Sequence, residues 1–140
     1  MPLDLEGAGG ASDGTFYYSA GGYSFTTGSN LDSLYRYDPN TDTWDTMASM
    51  PQAVAMGTTV YYPPTNTIYV FGGADFNTGD NFNTTQIYDI ASNTWTTGAP
   101  LLDVRSFAAG GYVAATGKIY VIGGYNTGTV DSAVTRRGSR

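Results

Sequence analysis

The 140-residue sequence contains neither His nor Cys. Disulfides, thiolate metal sites and Cys nucleophiles are excluded together, and so is the imidazole on which most acid–base chemistry near neutral pH depends. What remains is a set of aromatic rings, Tyr23, Phe25, Phe76 and Tyr125, with the charges of Asp75, Asp80 and Arg105. Rings offer flat apolar area to a partner, and carboxylates and guanidinium add charge and direction. No paired acid and base groups converge in the sequence, so no catalytic residue is assigned and the chain is read as a binder, not an enzyme. The stretch Asp75-Phe76-Asn77-Thr78-Gly79-Asp80-Asn81 alternates oxygen donors that suit a hard cation such as Ca²⁺. It lacks the twelve-residue spacing and closing Glu of an EF-hand, and Asp, Asn and Gly are ordinary loop formers. It is therefore read as a polar loop, and neither a metal nor a cofactor is expected. Asn83-Thr84-Thr85 is the only glycosylation sequon, and no function is attached to it.

The formal charge is -6, yet Arg136, Arg137 and Arg140 all fall in the last five positions, leaving residues 1–135 with three cations against twelve carboxylates. Neutralising phosphates takes clustered Lys and Arg, so neither nucleic acid nor an anionic membrane is expected as a partner. The basic tail, residues 136–140, is expected to be a solvated, frayed end. No apolar run approaches the ~20 residues that span a bilayer, and Met1 to Gly10 has neither the positive nor the apolar region of a signal peptide. Hydrophobic residues make up 41% of the chain and aromatic ones 14%, which is enough to offset the ordering of a folded chain. Twelve Tyr and 19 Gly favour strands and tight turns, hence an all-β fold.

These residues are positioned by an internal repeat. The pairs Gly21-Gly22, Gly72-Gly73 and Gly123-Gly124 are spaced 51 residues apart. At the same shift Phe25 meets Phe76, Tyr37-Asp38 meets Tyr88-Asp89, Thr43-Trp44 meets Thr94-Trp95, and Ile68-Tyr69-Val70 meets Ile119-Tyr120-Val121. Within a period the apolar pattern breaks into four short runs between turn residues, which predicts a four-stranded meander. In the second period strand A runs over Met56 to Tyr62, strand B over Thr67 to Phe71, strand C near Thr84 to Asp89 and strand D around Trp95. In the first, the corresponding stretches are Ala8 to Ser12, Thr15 to Ala20, Leu34 to Asp38 and Trp44, with Asp13-Gly14 as the A to B turn. One four-stranded sheet cannot cover both its faces, so Trp44, Trp95, Tyr37 and Tyr88 are expected in contacts between neighbouring sheets, and the paired glycines where backbones approach closely.

A diglycine, a Tyr about fifteen positions on, a Trp seven beyond it and an Ile-Tyr-Val strand into the next diglycine resemble the Kelch repeat. The family's Arg at the entry to strand A is present as Arg105 but is Val54 in the preceding copy. A period near 50 fits Kelch better than the roughly 40–45 of WD40, whose Trp-Asp pair occurs as Trp44-Asp45 but becomes Trp95-Thr96. The resemblance implies a partial β-propeller of antiparallel blades: 6–48, 53–99 and an incomplete third at 104–135. Propellers close with about four to eight blades, so residues 1–140 are expected to be a fragment of a longer chain or, as the alternative, an oligomer's building block that self-associates through open blade faces.

In such a meander the B to C and D to A connections emerge at one end of every blade. The B to C loops, Tyr23 to Asp32, Ala74 to Asn83 and from Tyr125 onward, are the longest, and long loops often carry function. This places Tyr23, Phe25, Asp75, Phe76, Asp80 and Tyr125 on one face, with Arg105 at the D to A entry; the plainer reading of Phe25 and Phe76 is that they pin each loop to its blade. The expected partner is a protein or a carbohydrate. Two alternatives stand beside a binding scaffold: a propeller enzyme of the carbohydrate-active oxidase or epimerase type whose catalytic residues lie outside this chain, and a structural repeat of a large surface protein. Copper oxidases that resemble this fold use His and a Cys-crosslinked Tyr, both absent here. Thr- and Asn-rich strands with few Lys resemble exported bacterial Kelch proteins, which leans the expected location toward the cell surface or outside the cell.

Overall fold

The computed structural model describes residues 4–126, 129–130 and 136–138. Beyond the short 3₁₀ turn Pro63–Thr65, its regular elements are all strands, gathered into antiparallel sheets. Blade one is Gly9–Ser12, Tyr17–Ala20, Leu34–Asp38 and Thr43–Thr46, and blade two is Thr58–Tyr62, Thr67–Phe71, Thr85–Asp89 and Thr94–Thr97, each paired in chain order A, B, C, D. Blade three has Ala109–Val113, Lys118–Ile122 and Arg136–Gly138 in the same order. Residues 136–138, expected as a frayed tail, thus pair with strand B of blade three, Arg136 opposite Val121. Their place is 51 residues after strand C of blade two, but the pairing is shifted by one: Gln86 faces Val70, whereas its repeat counterpart Arg137 faces Tyr120 rather than Val121. The far side of the third B to C loop, residues 127–128 and 131–135, lies outside the described residues.

The register explains the repeated residues. Tyr37 stands opposite Trp44, and Tyr88 opposite Trp95. Each Tyr hydroxyl donates to the side chain of a residue five positions on, Asp42 Oδ1 or Asn93 Oδ1, both at 2.8 Å. Asp42 and Asn93 share φ 54°, the left-handed corner of the C to D turn, which Asp and Asn tolerate better than other L residues. At the A to B turn of blade one, Asp13 Oδ1 accepts the N–H groups of Thr15 and Phe16. In blade two Pro63 and Pro64 end strand A and Asn66, at φ 54°, reverses the chain. The first of these hairpins is two residues shorter as a whole, so strand A repeats at 49 residues between blades one and two and at 51 thereafter.

Blade two is covered on both faces. Strand A alternates buried and half-buried residues, and all five residues of strand B are buried. Ile68, Val70 and Tyr88 pack on Tyr18, Ala20 and Leu34 of blade one, with Val54 and Met50 closing the seam. Val60, Tyr62, Tyr69 and Phe71 pack on Ile119 and Val121 of blade three, with Leu101 in the place of Met50. Trp95 Nε1 reaches across to the Ala48 carbonyl at 2.7 Å, and Asn93 Oδ1 accepts the Ala48 N–H at 2.9 Å. Trp95 is therefore an inter-blade residue, whereas Trp44, at the same spot in its own sheet, lies on Tyr37 with no described blade beyond it.

The paired glycines sit at the seams. Gly72 and Gly73 have φ of 60° and 106°, and Gly73 N–H donates to the Arg105 carbonyl at 2.9 Å. A Cβ on Gly73 would fall 2.8 Å from the Ala55 carbonyl oxygen and 2.9 Å from Val54 Cβ, and one on Gly72 would collide with the Arg105 carbonyl. No side chain fits in either place.

Candidate functional site

The B to C loops gather on one end of the blades. In blade one the loop is a small hairpin, Tyr23–Ser24 with Ser29–Asn30, to which Leu5–Glu6 adds a third strand. In blade two Asp75 Oδ1 accepts the Asn77 N–H, Asp75 N–H donates to the Asp80 carbonyl, and Thr78 Oγ1 donates to Asp80 Oδ2 at 2.9 Å. These bonds fold residues 75–80 into a tight polar cap, the use for which Asp, Asn and Gly suit a loop. Among the described residues no group of three or more Asp, Glu, His or Cys is close enough to hold a metal ion.

The two loops are tied together. Asn30 Nδ2 donates to the Ala74 carbonyl at 2.8 Å and its Oδ1 accepts the Phe76 N–H at 3.2 Å. Tyr23 lies between Phe25 and Phe76, with ring centroids at 5.3 and 5.6 Å, and its hydroxyl donates to Asn77 Oδ1 at 3.3 Å. Phe76 is thus half-buried against the loop of blade one, a tie between blades rather than a pin onto its own blade, while Phe25 stays 66% exposed.

Between the loops of blades two and three lies a groove of about 270 Å³, lined by Ala74, Asp75, Phe76, Gly79, Asn81, Ser106, Phe107 and Tyr125. Tyr125 and Ser106 exchange both backbone hydrogen bonds, and Ser106 Oγ donates to buried Asn81 Oδ1 at 2.6 Å, so the floor of the groove is fixed. Of the residues singled out in the sequence, Asp75, Phe76 and Tyr125 line this groove. Tyr23 and Phe25 adjoin it through Phe76, and Asp80 stands at the exposed tip of its loop. Arg105 does not present its charge to the face. It is 2% exposed and its guanidinium donates to the Gly123 carbonyl, which makes it a strut under the third loop.

Phe107 was not singled out. It is 59% exposed at the rim, with φ 58°, and its repeat partner Met56 has φ 55°. Left-handed backbone is uncommon for a bulky residue and is held here by neighbours: Phe107 N–H donates to the Met56 carbonyl and Met56 N–H to the Gly7 carbonyl. The 51-residue pairing of Met56 with Phe107 was visible in the sequence, but not this conformation. The Asn83 amide of the sequon donates to the Leu101 carbonyl.

The perturbed titrating groups lie in the sheets. Burial, then the neighbouring Asp13 carboxylate, pushes the Tyr18 phenol well above its ordinary range, and burial also raises Tyr88. What the loop face offers is a hydrogen-bonded polar floor with exposed rings around it.

Comparison with known proteins agrees with the repeat. The sequence model of the Kelch motif matches residues 18–51 and 65–102. Kelch-like protein 23 of Mus musculus is 32% identical over 113 residues, covering 79% of this chain and 19% of its own length. Kelch-like protein 35 of Mus musculus is 35% identical over 96 residues, covering 67% of this chain and 16% of its own. The chain thus spans about a fifth of the curated relatives it matches. A solved structure titled "Structure of YjhT" superposes with a TM-score of 0.76 over 98% of this chain and 43% of that one, at 18% identity, a likeness of fold.

Proposed function

We propose that this chain, which belongs to the Kelch-repeat family, is a non-catalytic binding module whose loop face takes a protein partner in the groove between the second and third B to C loops. The observation that carries the reading is where the large exposed apolar side chains fall. Phe25, Phe107 and Tyr125 stand on the loop face, and Leu102 lies exposed in the D to A linker that emerges at the same end. Exposed rings around a satisfied polar floor are the makings of a binding hot spot, since burying one aromatic can contribute 2 kcal/mol or more in the centre of an interface, roughly thirtyfold in affinity. The acidic Asp75 and Asp80 beside them favour a partner segment that carries Lys or Arg next to an apolar anchor.

The test is selection of peptides from a displayed random library on the immobilised chain, followed by affinity measurement on Phe107→Ala and Tyr125→Ala. Peptides enriched for a basic residue beside an aromatic or aliphatic one, with affinity lowered about tenfold or more in both variants, support the reading. Peptides that bind both variants as well as the parent chain contradict it. A glycan array run in parallel tests the carbohydrate alternative: a hit there that is abolished by the same two substitutions would replace the protein partner with a sugar.

A further inference from the structure

The seam between blades one and two and the seam between blades two and three use the same repeat positions, yet at the loop end they are filled differently. Tyr23 pairs with Glu6 on one side and Asn30 on the other. At the position 51 residues on, Ala74 pairs with Ala55 and Asn81, so the backbone is equivalent and the side chain is not. In the first seam the Tyr23 ring reaches from loop one to loop two. It meets Phe25 edge-on, lies against Phe76 and donates its hydroxyl to Asn77 Oδ1. In the second seam a methyl group stands where that ring would begin, and the groove of about 270 Å³ opens beside it.

The groove repeats what Tyr23 meets. Phe76, which takes the Tyr23 ring in the first seam, also lines the groove in the second. Asp75 brings a carboxylate to the same wall, an acceptor in the role that Asn77 plays for the Tyr23 hydroxyl. Phe107 and Tyr125 border the groove from blade three. Asn81, the repeat partner of Asn30, accepts the Ser106 hydroxyl at the floor. Both blades that form the groove belong to this chain. Its volume of about 270 Å³ lies just under the roughly 300–1,000 Å³ of pockets that take whole drug-sized molecules, and above the ~150 Å³ that suffices for benzene. That is room for one ring.

We propose that the groove is a slot for one tyrosine side chain of the partner, which takes at the second seam the place that Tyr23 holds at the first, and that Ala74 keeps the slot open. The proposal rests on the loop face being a protein-binding surface and names its anchor, an aromatic ring in place of an aliphatic chain. The first seam is the template for the bound state. A ring entering beside Ala74 meets Phe76 and Phe107 in the offset or edge-on contacts that aromatic pairs favour. Its phenol donates to the Asp75 carboxylate, a charge-assisted hydrogen bond. An aliphatic anchor of similar size covers the same area and makes neither contact.

Heteronuclear NMR of the isotope-labelled chain, titrated with N-acetyl-tyrosinamide and separately with N-acetyl-leucinamide, tests this. The tyrosine probe should shift the amide signals of Ala74, Ser106 and Phe107 saturably and bind about fivefold or more tightly than the leucine probe, the size of one net hydrogen bond. Ala74→Tyr puts at the second seam the ring that the first already holds, and should abolish those shifts with circular dichroism unchanged. Tyr23→Ala opens the equivalent place between loops one and two, and should add a second set of shifts at Ser24, Asn30 and Phe76. That gain decides the matter even where Ala74→Tyr disturbs the fold. No saturable shift, equal binding of the two probes, binding that survives Ala74→Tyr, or no second set in Tyr23→Ala would each overturn the slot. Selected peptides separate it from the broader reading. Peptides that need Phe107 and Tyr125 but tolerate Ala74→Tyr overturn the slot and leave the protein-binding face, whereas a tyrosine probe held beside Ala74 with no peptide enriched overturns the protein partner and leaves the slot.

Discussion

Trp44 and Trp95 stand 51 residues apart, each against the Tyr opposite it in strand C, with ring centroids 5.0 and 5.1 Å apart. Local structure is the same at both, down to the hydroxyl bond from that Tyr to the turn residue beyond. What differs is the neighbour. Trp95 lies against the core of the first seam and donates to the Ala48 carbonyl, while the blade-one ring ends at Tyr37. The pair separates two contributions that are usually merged in a repeat protein: the stability of a blade by itself and the stability added by the next blade.

Substitutions that probe the seams should follow that division. The largest effect is expected at a seam glycine with no room for a side chain. Gly73→Val forces a β-branched side chain into left-handed backbone and onto the Ala55 carbonyl, and should destabilise by roughly 3 kcal/mol or more in a urea titration. Next, Trp95→Ala removes an inter-blade ring and its hydrogen bond and should cost about 2–3 kcal/mol, whereas Trp44→Ala should cost about 1 kcal/mol or less. Equal losses at the two tryptophans in a monomeric sample would break the comparison. The smallest effect is on pH dependence. Tyr18 titrates higher in the folded chain than its unfolded value of about 10, so its contribution is intact below about pH 10 and declines as the unfolded chain alone releases the proton. Tyr18→Phe should flatten the fall in thermal stability above that pH; an unchanged slope would place the alkaline sensitivity elsewhere.

The parts of the fold legible in the sequence are those in which side chains meet within one blade. Strand B of blade two, strand C of blade one and the Tyr–Trp pairing all follow from apolar patterning and turn chemistry that repeat at 51 residues. Contacts made by the backbone across a seam were not legible. Met56 reads as the start of strand A, yet it leaves the strand because its N–H and carbonyl serve Gly7 and Phe107 on other blades. Arg105 reads as an exposed charge because Arg is seldom buried without a partner, and its partner is a glycine carbonyl that no side-chain pattern records. Phe107 was missed for the same reason as Met56. The tail reads as frayed because Arg136, Arg137 and Gly138 lack the Tyr-Asp signature, although backbone pairing alone places them as a strand.

The claim on which the rest depends is that each blade is stabilised mainly by the blades on either side. Hydrogen exchange of the strand B amides measures this directly, because those strands are chemically similar and differ in cover. In dilute solution, Thr67–Phe71 should exchange most slowly, with Tyr17–Ala20 and Lys118–Ile122 opening about tenfold or more faster. Equal protection of all three strands in the dilute monomer would contradict the account.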